Sequence, residues 1–415
     1  MNTTFDDVDL VCEEALADPH TYFSRLRDQA PIAFMPNYGS WLVTGHPEVR
    51  AVLSDPVFTS DRIRPFIERK LAGPDTDPRV RAAFEMLSNW LVFNDAPIHT
   101  RLRKLVFKAF TPKTLQALAE PIDGLCTDLL EKLPAKGHFD VKHDYSDPLA
   151  AIVIAQLLGV PPEDRDRFKA WSQDVGTLVS AGLNDPDRHA KAAAGMEQLG
   201  AYCFELLERN RGGNADNLMT RLAAAQVDDD TLSDAEVVAT CTLVLFAGHE
   251  TSANLLANGI RALLRHPDQL TKFRDGDDEV RRIAIEELLR FDGPGKAVVR
   301  WSAGRVQVGD EIIEPGQRVF SVLASANRDP RVFDDPNTLN IERNHNPHIA
   351  FGHGIHHCMG SSLARLEASI ALPRLFDAYP HLAVTNTGLT WQPVFLARSL
   401  DELPVSAGHA LTGAV

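Results

Sequence analysis

Cysteine is scarce in this chain: 5 among 415 residues, at positions 12, 126, 203, 241 and 358. An odd and widely scattered set gives no disulfide framework, which predicts a reducing compartment. Positive charge is also in deficit. Lys and Arg total 42 against 57 Asp and Glu, a net charge of −15, which argues against nucleic acid or an anionic membrane surface as the main partner. Long apolar runs are missing as well. The most apolar stretch, 237–248, is interrupted by threonines and falls far short of the roughly 20 residues needed to span a bilayer. The opening residues, Met-Asn-Thr-Thr-Phe-Asp-Asp, have neither the basic region nor the apolar core of a secretion signal. No low-complexity linker or internal repeat interrupts the chain. These absences predict a soluble, cytoplasmic protein long enough for a large buried core.

What is present is helical periodicity. It runs over residues 19–29, 99–110, 113–132, 146–158, 163–179, 187–209, 233–265 and 278–291. Residues 32–44 read as a hairpin turning at Asn37-Tyr38-Gly39. The connection 54–97 contains one expected helix, near 79–90. Ser233-Asp-Ala-Glu236 fits a capping box. The helix it opens is apolar on nearly every side, the pattern of a buried helix, about 48 Å long at 1.5 Å per residue. Strands are expected over 298–323, with a type II turn at Glu314-Pro315-Gly316-Gln317, and again after Pro380. The predicted class is mainly α with small β-sheets.

The densest chemistry lies at 351–365, Phe-Gly-His-Gly-Ile-His-His-Cys-Met-Gly-Ser-Ser-Leu-Ala-Arg. Gly352 and Gly354 permit backbone angles that a side chain would forbid. Gly360 removes bulk just after the sulfur, so that a flat ring could approach the backbone. Leu363, Leu366, Ile370 and Leu375 then recur at roughly helical spacing. Cys358 is therefore predicted near a helix N-terminus, where the dipole and free N–H groups favour the ionised sulfur. Two plainer readings stay open on these residues. One is a buried free thiol. The other is zinc held by His353, His356, His357 and Cys358, although zinc sites usually draw ligands from two separated pairs.

Within the long helix, Ala247-Gly248-His249-Glu250-Thr251 brings polar groups into an apolar setting. One reading is a kink, with Gly248 loosening the helix and Thr251 bonding back to the carbonyl four residues earlier. The other is proton transfer, because a carboxylate such as Glu250 is costly there unless paired or used. Glu287-Leu-Leu-Arg290 sets opposite charges at i and i+3, by itself an ordinary surface pair. His99 and Arg103 stand one helical turn apart and point the same way.

The cysteine loop resembles the haem-binding signature of the cytochrome P-450 family. That signature fixes positions corresponding to Phe351, Gly354, a basic residue (His356), Cys358 and Gly360. Other landmarks resemble the family's in the same order: His99/Arg103, Ala247 to Thr251, Glu287/Arg290 and Arg300. The resemblance covers essentially the whole chain. It implies the mainly helical P-450 architecture in a single haem domain, residues 1–415, whose last residues (about ten) form a flexible tail. It also implies haem b with Cys358 as the axial ligand of its iron, near Ala247, Gly248, Phe351, Gly352 and Gly360. His99, Arg103, Arg300 and His356 would bind the propionates. Thr251 would hold water or donate a hydrogen bond at the oxygen site, Glu250 would connect that site to solvent, and small residues at Ala247 and Gly248 would leave room for oxygen and substrate. The thiolate would push electron density through the iron. Glu287, Arg290 and Arg343 would brace the fold on the cysteine side.

The function so implied is a monooxygenase that takes two electrons and O₂ and inserts one oxygen atom into a small organic molecule, by hydroxylation, dealkylation or epoxidation. Oxidative coupling, peroxide-driven oxidation and a non-catalytic haem or ligand-binding role are the alternatives. No flavin or iron–sulfur domain is recognisable, so NAD(P)H electrons would arrive through a ferredoxin and its reductase. Arg101, Lys104 and Lys108, at i, i+3 and i+7, form a basic stripe that would dock it. By the same resemblance, substrate recognition falls to 60–94, to 168–181, and to residues near Ala297 and Val394. These supply Phe66, Trp90, Leu91, Phe93, Leu178, Ala297, Val298 and Phe395, a mostly apolar pocket. Arg62, Arg64 and Lys296 are candidates to pair with a substrate carboxylate, against the simpler expectation that they face solvent.

Overall fold

The computed structural model describes residues 3–73, 76–176, 188–211, 216–386 and 388–408. Helices dominate and small sheets accompany them, as the periodicity predicts. The chain forms two compact units. One comprises Met1–Phe58, Ala119–Ala150 and Thr251–Val415, and the other Thr59–Leu118 and Ala151–Glu250.

In the first unit, Ile32–Met35 and Ser40–Val43 pair antiparallel as the predicted hairpin. A short 3₁₀ turn over Pro36–Tyr38 joins them. Ser40–Val43 pairs in parallel with Arg318–Ser321, which pairs antiparallel with Val298–Ser302. Strand alternation then sorts the core. Trp41, Val43 and Val319 pack on one face with Val49, Val52 and Leu53. Leu42, Phe320 and Met35 pack on the other with Phe5, Phe23 and Leu26. Each such side chain contributes about 1.5–3 kcal/mol by leaving water. The expected turn is present, with the Gln317 N–H on the Glu314 carbonyl at 3.2 Å. Ser361–Ala378 packs against Ala119–Lys132, and the Tyr145 hydroxyl donates to the Ala371 carbonyl at 2.8 Å.

In the second unit, Arg165–Gly176 packs on Arg188–Asn210, which packs on Pro78–Ser88. Two expectations are corrected. The connection 54–97 holds two helices, Ile63–Lys70 and Pro78–Ser88. The first is only eight residues long, and its start signal, the Asp61 carboxylate that accepts the Arg64 N–H at 3.1 Å, sits one residue ahead of its N-cap, Arg62. The single helix expected over 113–132 is divided into Pro112–Gln116 and Ala119–Lys132.

The long helix runs unbroken from Asp234 to Leu264. Its capping box is formed: the Ser233 hydroxyl accepts the Glu236 N–H at 3.3 Å and the Glu236 carboxylate accepts the Ser233 N–H at 2.9 Å. The boundary between the two units falls within it, after Glu250.

Candidate functional site

The cysteine loop is shaped by its own backbone. The Cys358 N–H donates to the Phe351 carbonyl at 2.9 Å, and the His357 N–H to the Gly354 carbonyl at 3.1 Å. Gly352 and Gly354 have φ of +74° and +71°, which side chains rarely adopt. A Cβ on Gly354 would in addition collide with the Leu53 carbonyl oxygen. Cys358 emerges exposed, just ahead of Gly360, which caps the Ser361–Ala378 helix. A Cβ on Gly360 would meet the Cys358 Sγ at 3.9 Å, an ordinary contact.

The plainer readings of Cys358 do not fit this geometry. Cys126, Cys203 and Cys241 are the buried thiols; burial pushes the first two up to about 11 and about 12 and raises the third well above the ordinary thiol value. Among the described residues, no group of three or more His, Cys, Asp or Glu is arranged to hold a metal ion. That removes the zinc reading of the three neighbouring histidines.

Glu287 and Arg290 are not a surface pair, since both side chains are fully buried. Arg290 grips the Glu287 carboxylate with two bonds of 2.7 and 2.8 Å and also donates to the carbonyls of Asn327, Pro336 and Thr338. Arg343 Nε reaches the same carboxylate at 3.2 and 3.3 Å, and the Asn340 N–H at 3.0 Å. Every lone pair of a buried carboxylate is thus engaged. Arg300 is nearly buried on its strand, and His356 closes the 3₁₀ turn two residues before the cysteine.

In the second unit, His99 is buried on the Ile98–Ala109 helix, with Arg103 one turn on. Ala247 and Thr251 are exposed on the long helix, whereas Leu245, Ser252 and Leu255 are buried. Residues 247 and 251 lie on one helical face, so an otherwise apolar helix presents a short accessible stripe at the predicted polar segment. Gly248 does something different from leaving open room. A Cβ there would approach Ile154 Cδ1 to 2.5 Å, so the glycine lets the Asp147–Leu158 helix come close.

One further expectation needs correction, that of a solvent-facing Lys296, and two other candidates prove engaged within the fold. Trp90 has no exposed surface; it stacks between Phe93 and Phe246 and donates its indole N–H to Thr242 at 3.0 Å. Lys296 is 1 % exposed and does not face solvent; burial, aided by Arg398 and opposed by Asp292, lowers its ammonium to about 7. Arg101 is already engaged by neighbouring groups of its own unit. It is held by Asp230 at 2.7 and 2.9 Å, by Glu236 at 2.5 Å and by the Thr231 carbonyl at 2.8 Å.

The remaining pocket candidates are dispersed. Phe66 stacks on Phe84 with ring centroids 4.7 Å apart, Leu91 and Phe93 are buried, and Arg62 lies over the Phe93 ring. Arg64 is tied to Asp61 and Asn94. Ala297 is buried, Val298 packs on the first sheet face and Phe395 on the second. Leu178 lies outside the described residues.

Two features escaped the sequence reading. Asp292 is a buried hub bonded to His20 at 3.0 Å, Arg398 at 3.2 Å and Arg261 at 3.3 Å. Against burial, which alone would raise it, Arg398 and His20 hold its carboxyl far below the usual range. Nothing local in the sequence joins residues 20, 261, 292 and 398. Glu367 is fully buried on the Ser361–Ala378 helix. Burial pushes its carboxyl up to about 8, with the Ser252 hydroxyl opposing. Its signal was legible, because 363, 367 and 371 share one buried helical face.

Comparison with known proteins agrees with the loop. The family profile described as Cytochrome P450 matches residues 72–388. The chain is 37% identical to Cytochrome P450 107B1 of Saccharopolyspora erythraea, over 98% of this chain and 100% of that one. It is 38% identical to a Vitamin D(3) 25-hydroxylase of Pseudonocardia autotrophica, over 94% of each. Among solved structures, P450BioI in complex with hexadec-9Z-enoic acid ligated acyl carrier protein superposes with a TM-score of 0.86 at 32% identity, covering 95% of this chain and 100% of that one. The chain therefore belongs to the cytochrome P450 family of haem-dependent, O₂-using monooxygenases.

Proposed function

We propose that Cys358 is the axial thiolate of a b-type haem in a single haem domain, and that the enzyme oxidises a mostly apolar organic molecule with electrons delivered by a ferredoxin. The observation that carries this reading is the exposed Cys358 sulfur, set between two left-handed glycines and a helix N-terminus. The residues suit the group. The helix N-terminus behind Cys358 favours an ionised sulfur, and the left-handed Gly352 and Gly354 shape the loop that presents it. When bound, the haem supplies the redox chemistry that activates O₂.

The chain's own residues have separate tasks. If haem binds, Arg300, His356, His99 and Arg103 would hold its propionates through charge-assisted hydrogen bonds. With haem bound, the Thr251 hydroxyl would hold a water or donate a hydrogen bond at the oxygen site, and Glu250, partly exposed one residue earlier, would pass protons from solvent. Glu287, Arg290 and Arg343 stiffen the segment leading to the loop. The apolar character of the substrate is supported by the relatives, one named for vitamin D(3) and another held with a hexadecenoic acid on its carrier.

The test is the reduced, CO-bound spectrum. A red-shifted Soret band is expected for the enzyme and its loss for Cys358→Ser; an unshifted band in the parent enzyme would overturn the reading. Titration with secosteroids and with fatty acyl carriers should move the haem from low to high spin for the class that binds.

A further inference from the structure

We infer that Glu286 and Arg365, together with His348, are positioning residues that clamp Phe351 and, through it, the backbone of Cys358. The inference rests on the proposal that Cys358 is the haem thiolate. Glu286 and Glu287 are neighbours on the Asp278–Asp292 helix, yet they serve different partners. Glu287 is consumed by Arg290, Arg343 and the loop around 340–346. Glu286 turns to the cysteine side. Its carboxylate accepts Arg365 Nε at 2.6 Å and a terminal nitrogen at 2.8 Å, and His348 Nε2 at 3.0 Å. Against the burial that would raise it, Arg365 and His348 bring its carboxyl down to about 2.

The clamp closes on an aromatic ring. The Arg365 guanidinium carbon lies 4.5 Å from the centroid of Phe351, so one planar cation is forked to a carboxylate at its edge and stacked on a ring by its face. Only guanidinium does both. His348 fixes the 349–350 peptide, because its Nδ1 accepts the Ala350 N–H at 3.2 Å while Nε2 donates to Glu286. The Phe351 carbonyl in turn accepts the Cys358 N–H at 2.9 Å. The 349–350 peptide is thus held by His348 and the 351–352 peptide by the cysteine itself, one on each side of the clamped ring's residue but not both adjoining it. A pair on the outer surface of the same helix, Glu279 with Arg282, is more than 60 % exposed at both ends and forms a simple i, i+3 bridge.

The experiment uses the haem-loaded protein with Arg365→Met, Arg365→Lys, Glu286→Gln and, as a control, Arg282→Met. Three quantities are read: the reduced CO-bound Soret band during mild heating, the haem reduction potential, and the thermal midpoint. Arg365→Met should convert several-fold faster to the unshifted band and shift the potential. Glu286→Gln should do so to a smaller degree, Arg365→Lys should recover only part of the parent behaviour, and Arg282→Met should match the parent. A lower thermal midpoint with unchanged band and potential would reduce the clamp to general bracing and overturn it. Parent-like behaviour of Arg365→Met in all three would overturn it as well. An unshifted band in the parent enzyme itself would overturn the ligand assignment and the clamp together, which separates the two failures.

Discussion

Glu367 carries a buried carboxyl held far from its ordinary behaviour. A carboxyl raised to about 8 by burial is largely protonated at neutral pH, so the fold is spared most of the cost of an internal charge. The sign of the linkage follows. The folded state binds this proton more tightly than the unfolded chain, so the stabilisation is complete below the unfolded value near 4.5 and is lost as pH rises through about 8. Between those limits stability should fall with pH. Glu367→Gln keeps the shape without the titration, so its thermal midpoint should hold nearly flat where that of the parent declines. Parallel midpoint curves for the two proteins between pH 5 and 8 would contradict the assignment.

At the scale of elements, what could be read in the sequence depended on how far apart the partners lay. The Asp234–Leu264 helix was visible because its start signal, Ser233 and Glu236, and its apolar body are contiguous. The cysteine loop was visible because its glycines and sulfur sit within ten residues. The Asp292 hub was not, because its partners at 20, 261 and 398 are brought in by different elements. The same distance hid the fate of Arg101, whose acidic partners lie at 230 and 236. The burial of Trp90 was hidden too, since it depends on Thr242 and Phe246 from the long helix. Asp292 also shows what these distant ties are worth. Removing its charge leaves Arg398 and Arg261 packed without their counter-ion, a change that typically costs about 3–5 kcal/mol for a buried pair. Asp292→Asn should therefore lower stability by that order in urea unfolding at pH 7. Because the Asp292 carboxyl is held below its unfolded value, this contribution is present at neutral pH and fades only in acid. A loss below about 1 kcal/mol, the range of surface pairs, would show that the hub is not a unit.

At the scale of the whole molecule, the proposed ferredoxin partner would meet a charge problem that the Ile98–Ala109 helix would address. A chain of net charge −15 repels an acidic electron carrier at long range, so productive encounter needs a local basic patch acting within a screening length of about 8–10 Å. The stripe expected from the sequence is shorter in the structure, since Arg101 is neutralised by Asp230 and Glu236. Lys104 and Lys108 remain exposed on the Ile98–Ala109 helix. Between them stands Phe107, 60 % exposed, an apolar side chain of the kind that anchors an interface once charge has steered the approach. Reversing both lysines, Lys104→Glu with Lys108→Glu, should slow the second-order delivery of the first electron about tenfold at low ionic strength. It should also flatten the dependence of that rate on salt. Phe107→Ala should slow delivery while leaving the salt dependence as it was, because it removes an anchor and not a charge. Arg101→Gln should leave both quantities near the parent values and act on stability instead, through the released Asp230 and Glu236 carboxylates. Stopped-flow reduction by a surrogate acidic ferredoxin across a salt series measures all three. Equal rates and slopes for the parent and the double lysine variant would move electron entry to another face of the protein.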